Sequence, residues 1–209
     1  MSIHLGEKSR TTSDGRTLKA WDHDPPTDNK LVPFGILVLG SCALTLIFGR
    51  KECSDFWGDC LKQGWQSIAK ENSGIKRLCI FLDNGPKNAG NTKKFLRRIV
   101  EFVDATGLEV RLVYYPPYHS KHNPVERCWS SLQRKWNGLL LSSWDIVLSA
   151  AKRMTWCGCP PKVALIDKLY TREREITKSE FSNIETRIER SDTLPKYDFV
   201  VKPQPNNGR

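Results

Sequence analysis

The sequence predicts an α/β fold, a mixed β-sheet with α-helices covering its faces. Three observations carry that reading. Two uncharged runs on either side of Gly40-Ser41, within residues 31–50, have the length and the turn of a buried hairpin. RLCIFLDNG at 77–85 and EVRLVYY at 109–115 are strand-length apolar runs separated by an amphipathic stretch, the pattern of a strand–helix–strand crossover. Apolar residues recur at three- and four-residue spacing over 53–70 and again beyond Asn123, which supplies helices to cover the sheet.

The composition sets the bounds. A chain of 209 residues with 39% hydrophobic content, seven Trp and eight Phe can bury one sizeable core, alone or with an extension, and is not a disordered composition. The net charge of +10 is consistent with a polyanionic partner and says nothing about fold. The start, MSIHLGEKSR, is polar and charged and does not read as a secretory signal. Seven cysteines without a CxxC pair read as reduced thiols of a cytoplasmic protein, and Cys157-Gly-Cys159 is too tightly spaced for a structural zinc site. Residues 31–48 form 18 uncharged positions, the lower edge of a membrane span. Pro33, Gly35 and Gly40-Ser41 interrupt them, so a hairpin is expected and no membrane partner.

Taken in order, residues 1–30 are polar and read as surface loop with one short strand. The hairpin strands are expected near 31–39 and 43–50. A helix over 53–70 presents Phe56, Trp57, Cys60, Leu61, Gly64, Trp65 and Ile68, with Ser54 as N-cap and Asn72-Ser73-Gly74 as its stop. The run at 77–85 lacks alternation and predicts a central strand buried on both faces. The next helix places Phe95, Ile99, Phe102 and Val103 on one face and Lys93, Lys94, Arg97 and Arg98 on another, with Gly107 as C-cap. Pro116-Pro117 ends the strand at 109–115. Asn123 is a strong N-cap and Pro124 suits the first helical position. Val125, Cys128, Trp129, Leu132 and Trp136 give that helix its apolar face. The spacing of Trp129 and Trp136 assigns them to the core rather than to base stacking. A further helix is expected near 143–156 and another near 177–190, before a loose Pro/Asn-rich tail.

This order brings two acids to one edge of the sheet. Asp83 lies at the carboxyl end of a crossover strand, where open α/β sheets gather ligands. Glu126 sits in the first turn of the helix that follows the proline-stiffened loop, where the backbone dipole favours its anion. Carboxylates beside basic residues suit Mg²⁺, which takes a few carboxylates together with substrate phosphate. Paired ions can stabilise both the attacking and the leaving oxygen of a phosphoryl displacement. His119, Lys121 and His122 can contact a phosphate backbone, or satisfy hydrogen bonds within their own loop. An Asp-Asn-Gly turn and a glutamate at a helix start are also ordinary structural features. No Gly-rich phosphate loop is present, so nucleotide hydrolysis has no support.

At these residues the sequence resembles a known family. Tyr115-Pro116-Pro117-Tyr118, then Ser120, then Asn123-Pro124-Val125-Glu126 resembles the third-acid motif of DDE transposases. The likeness is greatest to the ISAzo (Rhodopirellula-type) insertion-sequence group, with its PPYHSKxNPxER form. Phe81-Leu82-Asp83-Asn84-Gly85-Pro86 resembles the strand of the second acid, and the segments from Trp21 to Asp24 and from Val32 to Leu37 are similar to family segments. The resemblance runs from about residue 3 to about residue 200. It implies an RNase H-like core over 1–158, a helical extension with a loose tail over 159–209, and two Mg²⁺ ions, for which Mn²⁺ can substitute. It implies Asp83 and Glu126 as catalytic and metal-binding acids, in-line attack on DNA phosphodiesters, and DNA as partner, both transposon ends and target. The DNA contacts expected are Lys93, Lys94, Arg97, Arg98, His119, Lys121, His122 and Arg127, and a homo-oligomer is compatible with this reading.

The first acid has no match. The family carries it on its opening strand, and Ser2-Ile3-His4-Leu5-Gly6 is similar to the end of that stretch, so the expectation is a catalytic domain truncated at its amino terminus, lacking part or all of the first strand. Asp22 and Asp24 are weak substitutes, since they match a different segment. Two alternatives stay open: a DNA-binding remnant without cleavage, and an RNase H-like nuclease.

Overall fold

The computed structural model describes residues 10–11, 17–18, 31–116, 119, 122–139, 141, 143–171 and 174–204. Asp22, Asp24 and Lys121 lie outside these residues, as do Pro117, Tyr118 and Ser120 of the motif. Arg10–Thr11 (β1) and Thr17–Leu18 (β2) pair as a short antiparallel ribbon.

The expected hairpin is Val32–Leu37 (β3) against Leu44–Gly49 (β4), antiparallel, with Val32 opposite Gly49 and Leu37 opposite Leu44. None of the helices among the described residues is long and apolar enough to cross a membrane. Ser54–Glu71 (α1) follows. Its N-cap is Cys53, not Ser54: the Cys53 sulfur accepts from the Phe56 N–H, and Ser54 instead donates its hydroxyl to the Lys87 carbonyl, 3.0 Å away. Arg77–Leu82 (β5), Lys93–Thr106 (α2) and Glu109–Tyr114 (β6) form the crossover, with β5 and β6 parallel and adjacent. Gly107 caps α2 in the left-handed conformation at φ 70°, its N–H reaching the Val103 carbonyl at 2.8 Å. Pro124–Trp136 (α3) starts where Asn123 and Pro124 predict, and the Asn123 side chain accepts from the Val125 N–H. Trp144–Lys152 (α4) is capped by Ser143.

The carboxyl-terminal part departs from expectation. Lys162–Ile166 (β7) pairs parallel with β4, Lys178–Glu185 (α5) is shorter than predicted, and Ile188–Arg190 (β8) and Asp198–Val201 (β9) are strands. β9 pairs with both β6 and β8. β7, β8 and β9 therefore belong to the two sheets, with α5 between β7 and β8. These strands are three to five residues long, and β7 and β9 pair with strands far back in the chain, which leaves little local signature.

Two mixed sheets result, β3-β4-β7 and β5-β6-β9-β8, in a layered α/β arrangement compatible with an RNase H-like core. The three-stranded sheet is covered on both faces. Val32, Phe34 and Ile47 pack with Phe56 and Cys60 of α1, while Leu44, Leu46 and Phe48 pack with Cys128 and Leu132 of α3 and Val147 of α4. In the four-stranded sheet, Val110, Leu112, Phe199 and Val201 are covered by Leu96, Ile99 and Val103 of α2. Each such large side chain, when fully buried, stabilises the fold by about 1.5–3 kcal/mol. Trp57 of α1 ties the two halves together: its ring stands perpendicular to Phe34 at 4.7 Å and to Phe95 at 6.2 Å. β5 is an edge strand, not the doubly buried central strand expected. Arg77, Cys79 and Phe81 face outward, Phe81 with 43% exposure, and because two of those three are apolar the alternation was hidden in the sequence.

Candidate active site

Asp83 follows β5 directly, and the backbone there is held to β6 by the Tyr115 N–H donating to the Leu82 carbonyl at 2.9 Å. The Asp83 carboxylate accepts a hydrogen bond from the side-chain amide of Asn88 at 2.8 Å. Asn88 is itself buried, 1% exposed, and its carbonyl accepts from the Tyr114 hydroxyl at 2.7 Å. Its side-chain oxygen, Oδ1, is buried with no partner among the described residues. Gly85 leaves room for this arrangement: a Cβ there would come within 3.0 Å of Asn88 Oδ1 and 3.6 Å of Asp83 Oδ2.

Glu126 comes from the other half of the molecule. It lies in the first turn of α3, and α3 is seated on β3 at Gly35, where a Cβ would stand 2.9 Å from the Trp129 ring and 3.1 Å from Val125. Glycine at this position allows the close approach of helix to strand. Burial pushes the Glu126 carboxyl above its ordinary pKa, and the negative charge of Asp83 pushes it in the same direction. The two acids, 43 positions apart in the chain, thus share one electrostatic environment. Among the described residues no group of three His, Cys, Asp or Glu side chains gathers as a metal site.

The basic residues divide into two sets. His119, His122 and Arg127 are exposed and flank the start of α3; the two imidazole rings stack at 5.9 Å, and the His122 N–H donates to the His119 carbonyl at 2.9 Å. The α2 set is bound up within the fold. Arg97 pairs with Asp55 at 2.6 Å and with Glu101 at 3.3 Å; Arg98 pairs with Asp59 and with Glu101. The side chains of Arg97 and Arg98 are only 17% and 19% exposed. Lys94 pairs with Glu175 at 2.9 Å, and the Lys93 ammonium lies over the Phe181 ring at 4.7 Å. A basic stripe in the sequence is therefore largely an α1–α2 clamp in the fold. Trp129 and Trp136 pack against the core formed by β4, α3 and α4, as their spacing predicts.

The model of the family described as the Rhodopirellula transposase DDE domain matches residues 4–203. The chain belongs to this transposase DDE domain family. Comparison with curated proteins and with solved structures returned no match. Membership makes a transposase the general function and DNA the general partner, and it agrees with the order of elements that carries Asp83 and Glu126. Asn88 was missed in the sequence. Its signal was a polar amide five positions beyond an acid, in a turn with no reason of its own to bury one.

Proposed function

We propose that the chain is a transposase catalytic domain in which Asp83 and Glu126 jointly hold Mg²⁺ for cleavage and strand transfer of DNA. The observation that carries this is the electrostatic coupling of the two carboxyls, with Glu126 raised by burial and by Asp83. Two partly shielded carboxylates at one place repel each other unless a cation lies near them. The donor set fits Mg²⁺: carboxylate oxygens from Asp83 and Glu126, with the unpartnered amide oxygen of Asn88 nearby. Bound there, the ion would supply Lewis-acid stabilisation of a phosphodiester undergoing displacement. Asn88 would fix the Asp83 carboxylate through its amide, and Gly35 would fix the helix that presents Glu126. We assign DNA phosphate contacts to His119, Lys121, His122 and Arg127, and further ones to Lys93 and Lys94 of α2. Arg97 and Arg98 would act there through the α1–α2 clamp.

The test is cleavage and joining of labelled oligonucleotides carrying transposon ends, with Mg²⁺ or Mn²⁺. Asp83→Asn and Glu126→Gln are expected to abolish both products while leaving the fold intact. Products undiminished in either variant would overturn the assignment. A second reading, DNA binding without cleavage, is favoured by the lack of a third His, Cys, Asp or Glu beside the two acids among the described residues. Salt-sensitive DNA affinity with no product under any metal condition would select it.

A further inference from the structure

All seven cysteines are free thiols, and three of them, Cys42, Cys157 and Cys159, line one cavity of about 230 Å³ beside the start of β4. Two independent features bring them together. The parallel register of β4 and β7 places Thr45 opposite Lys162, so Cys42 and Cys159 each lie three residues upstream of paired positions on adjacent strands. Trp156 and Cys159 close a two-residue turn through mutual backbone hydrogen bonds of 2.8 and 2.9 Å, and Cys157 is the first of its central residues. The backbone is also unusual. Among the described residues, the non-glycine positions with positive φ are Cys42 at 56° and Cys157 at 48°. Side chains other than Gly, Asn or Asp rarely adopt this conformation, and such backbone clusters at sites with a role. Both thiols belong to connections at the same, amino-terminal end of the β4–β7 pair, and the Cys42 thiol beside it raises the Cys157 pKa.

We propose that Cys42 and Cys157 form a reversible disulfide site, oxidised by a peroxide and reopened by a dithiol. The Cys157 thiolate attacks one peroxide oxygen and releases water, giving a sulfenic acid; the Cys42 sulfur then displaces hydroxide from that sulfur, which leaves as a second water. Two thiols and one hydrogen peroxide thus give one disulfide and two waters. Because the Cys157 thiol is shifted upward, the reaction accelerates as pH rises. The closed bond would cross-link turns 115 residues apart in sequence and pin β4 to β7.

The experiment treats the purified full chain with hydrogen peroxide, traps remaining thiols with iodoacetamide, and maps peptides by mass spectrometry without reduction. An intramolecular link between the Cys42 and Cys157 peptides is expected, with Tm rising by about 5–15 °C and returning on addition of dithiothreitol. Cys42→Ser and Cys157→Ser should each abolish the link and the shift, whereas Cys159→Ser and Cys79→Ser should keep both. A Cys157–Cys159 link, links between chains, or oxidation confined to exposed Cys79 would overturn the proposal. So would one equivalent of zinc in the protein as purified that disappears in Cys42→Ser.

Discussion

Glu126 is where pH and metal meet. Its folded-state pKa is raised, by burial first and by Asp83 second. Between the ordinary carboxylate range and that raised value, the folded chain binds more protons than the unfolded one. Stability therefore falls as pH climbs through this window, and the loss is complete above it. A divalent cation relieves the same repulsion. Mg²⁺ is thus expected to raise Tm at neutral pH by about 1–3 °C and to lose this effect as pH drops through the Glu126 titration. Glu126→Gln should remove both the metal effect and the pH step, as thermal denaturation across pH would show. A metal effect of unchanged size in that variant would mean that the ion binds elsewhere. Asn88 acts through Asp83: Asn88→Ala should weaken Mg²⁺ binding by about 10–100-fold in titration calorimetry, the range for a residue that orients a ligand. Asn88→Asp, which replaces the amide donor with another negative charge, should not rescue it.

At the scale of elements, the arginines of α2 hold α1 in place. Asp59 shows the connection from the other side. Burial pushes its carboxyl up, but hydrogen bonds from Lys168 and Tyr170 and the charge of Arg98 bring it below the ordinary range. That contribution is present at neutral pH and is lost as pH falls through the lowered value. Arg98→Glu is expected to cost about 1–3 kcal/mol in urea denaturation, because it leaves Asp59 facing a like charge at a largely shielded position. Lys93→Glu, at an exposed helix start, should leave stability nearly unchanged. Equal stability for the two variants would show that the clamp is solvated and weak. Gly35→Val makes the parallel case for α3: with no room against Trp129, the helix must shift, and Glu126 shifts with it. The start of α3 was legible because caps are local: Asn123 and Pro124 announce it within two positions. The ion pairs of Arg97 with Asp55 and of Arg98 with Asp59 were not, since these partners lie 42 and 39 residues upstream and a charged helix face reads the same whether it meets solvent or another helix. β9 was hidden for a similar reason: Asp198–Val201 has four residues and pairs with distant β6, Arg111 opposite Val200, and the Arg111–Asp198 side-chain bridge beside that pairing spans 87 positions.

For the whole molecule, the count of 33 Lys and Arg overstates the cations free to meet DNA. Arg50, Arg77, Arg111, Arg174 and Arg187 are each committed to a carboxylate, as are Arg97 and Arg98. Arg127 is an exposed cation next to Glu126 in the first turn of α3. DNA affinity should therefore depend on few phosphate contacts, and its salt dependence can count them. Each contact removed flattens the slope of log affinity against log salt by about 0.9 on duplex DNA. Arg127→Ala is expected to flatten it by about one such step at unchanged Tm. Arg98→Ala should instead lower Tm, and at a temperature where the variant is folded its slope should match that of the unaltered chain. Fluorescence anisotropy on one labelled duplex across a salt series makes both measurements. A slope that falls in Arg98→Ala and holds in Arg127→Ala would move the DNA surface to α2 and away from the acids, which would separate DNA binding from the site that Asp83 and Glu126 share.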